Sequence, residues 1–352
     1  MKAAVFHGGQ DIRIEDVPDP EPGPGEALIH IVAAGICGSD LHGWRGESPW
    51  PKRTPHLDGH ELAGEIQALG PGVQGLSVGG RVGIEPEHLR GCGRCRWCLA
   101  GEAHLCPIRG GRDAKGGGHR SHGFAEYDVC VSEHVHPLPE GVSMDAAAIL
   151  DCYACAVHAM HRAQVGLQRT VAVIGTGAIG MTVGQVALAA GAPRVLMVGT
   201  RRAPLDVAVG AGAASEGVAA SEADVVEAVT ERTGGGADVV FETVGGGGQS
   251  FEQAVAMAGR GGRVCVLGVF THRPALDVQA AYAKEVDILW SNSYARWEGV
   301  SEYEIALGLL ASGRVNAAPL VTHHFPLARI RDAFGAAADK RTSGAVKVLV
   351  HP

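Results

Sequence analysis

The stretch that most limits what this chain can fold into is residues 170–189, TVAVIGTGAIGMTVGQVALA. A short apolar, β-branched run leads into Gly175-x-Gly177-x-x-Gly180, and an apolar segment at helical spacing follows. Alone, Gly-x-Gly-x-x-Gly is a weak signal; between a buried strand and a helix it is a specific one. The first glycine permits a tight turn, the second lets a pyrophosphate approach the backbone, and the third lets helix and strand pack closely. Amides of Ala178 and Ile179, at the positive end of the helix, are the expected phosphate donors. Strand-like runs recur at residues 194–198, 238–242, 263–269 and 287–291, with helical spacing over 221–233 and 249–258. Such alternation predicts an α/β unit with a parallel, doubly wound sheet.

Upstream the character changes. Residues 2–6, 12–16, 26–33, 62–69, 81–85 and 125–131 read as short strands, joined by Pro/Gly-rich segments at 18–25 and 70–80. Set among them is Cys92-x2-Cys95-x2-Cys98-x7-Cys106. Four thiolates this close can complete a tetrahedron around zinc, leaving no position for water. Four unconnected surface cysteines are the plainer alternative and fit the regular spacing poorly. The lobe at residues 90–107 carries Arg90, Arg94, Arg96 and Glu102, so bound metal rather than apolar burial should hold it folded.

A second constellation is Cys37-Gly-Ser39-Asp40-Leu-His42, followed by Gly59-His60-Glu61. Cys37 and His60 offer a thiolate and an imidazole 23 positions apart, the donors zinc prefers. Ser39 and His42 beside the first donor suggest a metal with a proton path, against the plain readings of a loop serine and a surface histidine. Asp40 suits the orienting of a ligand histidine, since metal-bound imidazoles commonly donate their other N–H to a carboxylate.

The bulk properties narrow the partners. A chain of 352 residues suits two domains, and 46% hydrophobic with 19% charged residues is the balance of a soluble globular protein. A net charge of −8 without a Lys/Arg-rich run argues against nucleic acid. The chain lacks 18 consecutive apolar residues and a signal-like apolar core near Met1, so no membrane partner and a cytoplasmic location are expected. Nine cysteines in that setting point to metal binding or burial rather than disulfides.

Taken in order, these motifs and the ending Gly344-Ala-Val-Lys-Val-Leu-Val resemble the zinc-dependent medium-chain dehydrogenase/reductase family. The similarity is strongest to its polyol, sorbitol and threonine dehydrogenase branch. The resemblance implies a discontinuous β-rich, GroES-like catalytic domain at residues 1–146 and 293–352, and a Rossmann domain at 147–292. It also implies an active site in the cleft, two Zn²⁺ per chain, and a homodimer or homotetramer. Cys37 and His60 would bind the catalytic zinc, and Cys92, Cys95, Cys98 and Cys106 a structural one. The third catalytic ligand falls near residue 151, where this chain has Asp151-Cys152 in place of the branch's Glu-Pro. Both side chains can coordinate zinc; register favours Asp151, with Cys152 as the rival. Glu61 would be a conditional ligand, Ser39 the first proton acceptor and His42 the exit.

For the cofactor, Val244, Leu267 and Val269 are the further expected contacts. Gly199 stands where an acidic residue would bind the ribose hydroxyls of NAD, and Thr200, Arg201 and Arg202 follow. Arginines there can take a 2′-phosphate, which favours NADP(H) over NAD(H); solvated loop charges are the alternative. Trp44, His56 and residues 290–297 would wall a substrate pocket, with burial at a subunit interface the equal alternative for 290–297, while His119 and His122 are expected to be non-catalytic. The expected reaction is reversible oxidation of a secondary alcohol, such as a polyol or cyclitol, to a ketone. Its rivals are an aldehyde or activated-alkene reductase of the same fold, and a non-catalytic zinc- and dinucleotide-binding redox sensor.

Overall fold

The computed structural model describes residues 1–48, 53–86, 91–108 and 122–352; His88, Arg90 and His119 lie outside them. The chain divides into two compact units. One contains Met1–Asp151, Ala295–Ser312 and Ala317–Pro352; the other contains Cys152–Tyr294 and Gly313–Asn316.

The first unit is built on the strand Glu26–Gly35. Its sequence, EALIHIVAAG, alternates buried and partly buried side chains from Ala27 to Ala33, and Ala27, Ile29 and Ile31 are fully buried. It pairs antiparallel with Glu61–Leu69, with Tyr127–Val131 and with the C-terminal strand Lys347–His351. Among the described residues the full sheet has seven strands. Its main path runs Val321–Pro326, Lys347–His351, Glu26–Gly35, Glu61–Leu69, Arg81–Ile84, Val135–Pro137. Because the last strand of the chain bonds to Glu26–Gly35, both ends of the sequence fold into one unit. Phe6, Phe124 and Phe334 anchor its core, with ring centroids 5.5–6.2 Å apart. Burial of each such side chain contributes roughly 1.5–3 kcal/mol.

The second unit holds six parallel strands in the order Glu216–Ala219, Arg194–Gly199, Thr170–Ile174, Ala237–Glu242, Ala258–Val266, Asp287–Trp290. Val171, Ala172, Val173, Val240 and Phe241 are fully buried, as strands covered on both faces require. Numbered within the unit, the order is 3-2-1-4-5-6. Its direction reverses between Thr170–Ile174 and Ala237–Glu242, and ligands of such sheets bind beyond the carboxyl ends at that point.

Three local features depart from the sequence expectation. The unit boundary falls after Asp151, inside the helix Leu150–Ala163, rather than after residue 146. The helix runs on without a break in apolar spacing, so no composition change marks the division. The short strand Glu216–Ala219 was not anticipated, because EGVA has too few β-formers to register alone. The strand beginning at Ala258 starts earlier than residue 263, through Gly259-Arg-Gly-Gly, and its pairing with Ala237–Glu242 shifts register there. Among the described residues no helix is long and apolar enough to cross a membrane.

Candidate active site

The strand Glu26–Gly35 delivers the chain to Ile36 and Cys37, and the helix Gly38–Arg45 starts at once. Asp40, in its first turn, turns back: Oδ2 accepts the Cys37 N–H at 2.8 Å. Its other oxygen, Oδ1, faces His60 Nδ1 at 3.4 Å. One carboxylate, 2% exposed, thereby fixes both the backbone of the thiol donor and the ring of the imidazole donor. Burial pushes the Asp40 carboxyl up, against the opposing pull of His60. For His60, burial disfavours the charged ring, but Asp40 and Cys37 outweigh it and hold its pKa well above the usual histidine value.

Glu61 lies opposite Gly35 in the antiparallel ladder. A Cβ at Gly35 would stand 2.1 Å from Glu61 Oε2, so only glycine leaves room for the carboxylate. Cys37, His60 and Glu61 offer donor atoms all within 4.8 Å of one another. Glu61 Oε2 also forms an ion pair with Lys347 Nζ, whose side chain is 3% exposed against 0% for Glu61. Lys347 Nζ donates further to the Ile36 carbonyl at 3.2 Å. This lysine escaped the sequence reading, although a lone cation inside the apolar run AVKVLV was the available signal.

Ser39 is exposed beside Cys37, and His42 is half-buried with Nδ1 3.8 Å from Glu47 Oε2. Asp151 and Cys152 are buried in the first turn of the helix Leu150–Ala163. Burial, with the charges of Asp151, Glu85 and Glu61 after it, drives the Tyr303 hydroxyl well above its ordinary value. Tyr303 is therefore a second residue near these carboxylates that the sequence did not flag.

The expected substrate-wall residues have structural contacts of their own. Trp44 packs 5.8 Å from Phe334 and donates Nε1–H to the Gln10 carbonyl at 3.1 Å. His56 stacks on Phe6 at 5.4 Å. Trp290 stacks 6.1 Å from Phe251 and stays 56% exposed, and Trp297 is also exposed. His122 is held by Asp128, its Nδ1 3.3 Å from Oδ1.

In the cysteine lobe, Sγ separations are 4.0 Å for Cys92–Cys98, 3.5 Å for Cys95–Cys98 and 3.7 Å for Cys95–Cys106. Zinc–sulfur bonds of ~2.3 Å give a tetrahedral edge of about 3.8 Å, so this set fits the ion. Backbone N–H groups of Arg94 and Cys95 lower the Cys92 thiol to about 6. Desolvation and the adjacent Cys95 raise Cys98 to about 12. Without a cation the four sulfurs resist common ionisation, and a dication removes the conflict.

At the glycine-rich turn, Gly175 has φ 118°, and a Cβ there would lie 2.6 Å from Thr243 Oγ1. A Cβ on Gly180 would meet the Gly175 carbonyl at 2.0 Å. Gly177 caps the helix Ala178–Ala189, whose first amides come from Ala178 and Ile179. Val244 is 54% exposed at the adjoining strand end; Glu242 beneath it accepts the N–H groups of Val244 and Gly245 at 2.9 and 2.8 Å. Leu267 N–H bonds the Glu242 carbonyl, and the Val269 carbonyl accepts from Gly246, both at 2.8 Å. The cradle therefore fits a dinucleotide. Thr200 and Arg201 are exposed after Gly199, but Arg202 is already engaged. Its Nε and Nη2 clasp the Glu222 carboxylate and its Nη1 donates to the Gly217 carbonyl at 3.1 Å.

Comparison with known proteins agrees with both units. The alcohol dehydrogenase GroES-like domain model matches residues 23–140, and the zinc-binding dehydrogenase model matches residues 178–312. Sorbitol dehydrogenase of Bacillus subtilis is 32% identical over 358 residues, spanning 100% of this chain and 97% of that protein. This chain belongs to the zinc-dependent medium-chain alcohol dehydrogenases. It falls in their polyol dehydrogenase-like branch. L-threonine 3-dehydrogenase of Chromobacterium violaceum is 33% identical to this dehydrogenase over 342 residues, 96% of each chain. A protein of Sinorhizobium meliloti described as a zinc-binding dehydrogenase, solved bound to NADP, superposes with a TM-score of 0.86. It is 30% identical and covers 100% of this dehydrogenase and 99% of its own chain. The expected fold, a GroES-like part with a Rossmann-type part, is the one this dehydrogenase has.

Proposed function

We propose that this dehydrogenase interconverts a secondary alcohol of the polyol or cyclitol class and the corresponding ketone, preferring NADP(H) to NAD(H) and binding two zinc ions per chain. The single observation that carries the reading is Asp40, whose two oxygens hold Cys37 and His60 together. Cys37, His60 and Asp151 are the proposed ligands, with Cys152 the rival for the third place. Glu61 is the conditional ligand, held back by its ion pair with Lys347. Zinc held there would supply Lewis-acid polarisation of the substrate oxygen, and a bound nicotinamide would supply the hydride acceptor or donor. Asp40 engages His60 through Nδ1, which makes the other ring nitrogen the donor and strengthens its basicity. Ser39 takes the hydroxyl proton and His42 passes it to solvent. Assembly as a homodimer or homotetramer belongs to the same reading.

The test is a screen of polyols, cyclitols, amino alcohols and simple secondary alcohols with each cofactor, followed at the reduced-nicotinamide absorbance band. Turnover of a polyol or cyclitol, with the higher kcat/KM for NADP⁺, is the expected result. No turnover of any alcohol by fully zinc-loaded protein would sink the reading.

The cofactor preference rests on Arg201, because Arg202 is already committed to Glu222. Glu222 also places a carboxylate near any phosphate that Arg202 would contact. Glu222→Gln keeps a hydrogen-bond acceptor but removes the charge and loosens the clasp. It is expected to raise the NADP⁺/NAD⁺ ratio of kcat/KM about tenfold, or ~1.4 kcal/mol. Steady-state kinetics with both cofactors checks it, and an unchanged ratio places the phosphate elsewhere.

A further inference from the structure

We propose that Asp145, His324 and His351 form an additional metal site in the first unit, which takes a first-row transition dication such as Zn²⁺ or Ni²⁺. The three residues offer donor atoms all within 4.8 Å of one another, and they share no residue with the other two metal sites. Their positions follow from rigid elements. His324 lies on the strand Val321–Pro326 and His351 ends the strand Lys347–His351; these strands run parallel, with His324 opposite Leu349 and Pro326 opposite His351. The two histidines are thus diagonal neighbours on one face, and their rings stack at 5.3 Å. Asp145 stands in the first turn of the helix Met144–Ala148, whose start is fixed by Ser143 Oγ accepting the Ala146 N–H at 3.1 Å.

The ring nitrogens are aimed as ligands. His324 Nδ1 and His351 Nε2 are 3.0 Å apart, and the Asp145 oxygens lie 3.8 Å from the first and 4.0 Å from the second. Donors at ~2.0–2.2 Å from one metal stand roughly 3.0–3.5 Å from each other, so small side-chain rotations bring the set to bonding distance. A second observation fixes the chemistry. His351 Nδ1 is 2.9 Å from the Val32 carbonyl oxygen, which can only accept a hydrogen bond. The proton of the neutral ring is therefore on Nδ1, and Nε2 presents its lone pair to His324 and Asp145. An outer carbonyl that sets the tautomer and turns the other nitrogen inward is how proteins prepare metal-ligating histidines.

Two imidazoles and one carboxylate suit zinc, nickel and copper rather than calcium or magnesium, which prefer all-oxygen shells. The site would join three elements, including the last strand of the chain, so occupancy should stabilise the first unit. Substitution at His324 removes a side chain that is 49% exposed and has no part in the proposed catalysis.

The experiment titrates zinc-loaded protein with NiCl₂ and follows heat of binding, Tm and zinc content together. One equivalent of Ni²⁺ should bind per chain and raise Tm with no loss of zinc. His324→Ala should weaken that binding at least ~10–100-fold and abolish the rise in Tm, with kcat in nickel-free buffer unchanged. His351→Gln should act alike; where it unfolds the C-terminal strand, the His324→Ala result decides. Equal Ni²⁺ binding by His324→Ala and the unaltered protein, or no binding by the latter, overturns the proposal.

Discussion

Serine in place of Cys37 is expected to remove one zinc per chain and to lower kcat by at least ~10³, while the protein stays folded. The magnitude follows from the chemistry: polarisation of an alcohol oxygen by a bound metal contributes several kcal/mol, and each 1.36 kcal/mol is about tenfold in rate. Folding should survive because the strand Glu26–Gly35 and its three partners hold this region without the metal. The Asp40–Cys37 contact also survives, since it uses the backbone N–H. Cys95→Ser provides the contrast. It should also remove one zinc, but with loss of structure in a lobe that buries little apolar surface: Cys95, Arg96, Trp97, Cys98 and Leu99 all remain at least partly exposed. Elemental analysis, circular dichroism and steady-state rates on both variants check the pair of outcomes. Activity within tenfold of the unaltered protein after Cys37→Ser would refute the proposed mechanism.

Lys347→Met should destabilise the first unit by about 3–5 kcal/mol. The substitution keeps the volume but leaves Glu61 charged and buried without its ammonium partner, which is the costly way to break an ion pair. For a unit of this size the loss corresponds to roughly 10 °C in its Tm. Glu61→Gln with Lys347→Met removes both charges and should recover most of that loss, because a neutral pair escapes the desolvation penalty. Thermal denaturation of the single and double variants reads the coupling directly. A single variant that costs under about 1 kcal/mol would mean the pair behaves as a surface contact.

Much of this dehydrogenase is legible before folding because its strongest chemistry is local in sequence. Four cysteines over a few turns of chain can meet around one ion in almost any loop, and their sulfurs lie 3.5–4.0 Å apart in the Cys92–Cys98, Cys95–Cys98 and Cys95–Cys106 pairs. The glycine turn is equally local: the close approach of Gly180 to the Gly175 carbonyl is set by residues five positions apart. Alternating strands and helices downstream then require a doubly wound sheet. Trp44 and His56 illustrate the reverse, since an aromatic near a ligand motif says nothing about direction, and both turn toward the phenylalanine core. Arg202 is a similar case. Its charge suggested a phosphate clamp, but Glu222, brought close by the sheet, holds its guanidinium.

The sequence by itself determined the family, the joining of a GroES-like with a Rossmann-type part, Cys37 and His60 as a candidate donor pair, and Asp40 as the carboxylate to orient a ligand histidine. Only the tertiary structure decided that the same Asp40 also holds the Cys37 N–H, that Lys347 neutralises Glu61, and that Asp145 meets His324 and His351. The physical reason is range. Ligand spacing and turn geometry act within a few residues, whereas these contacts depend on strand register and on the last strand pairing with Glu26–Gly35.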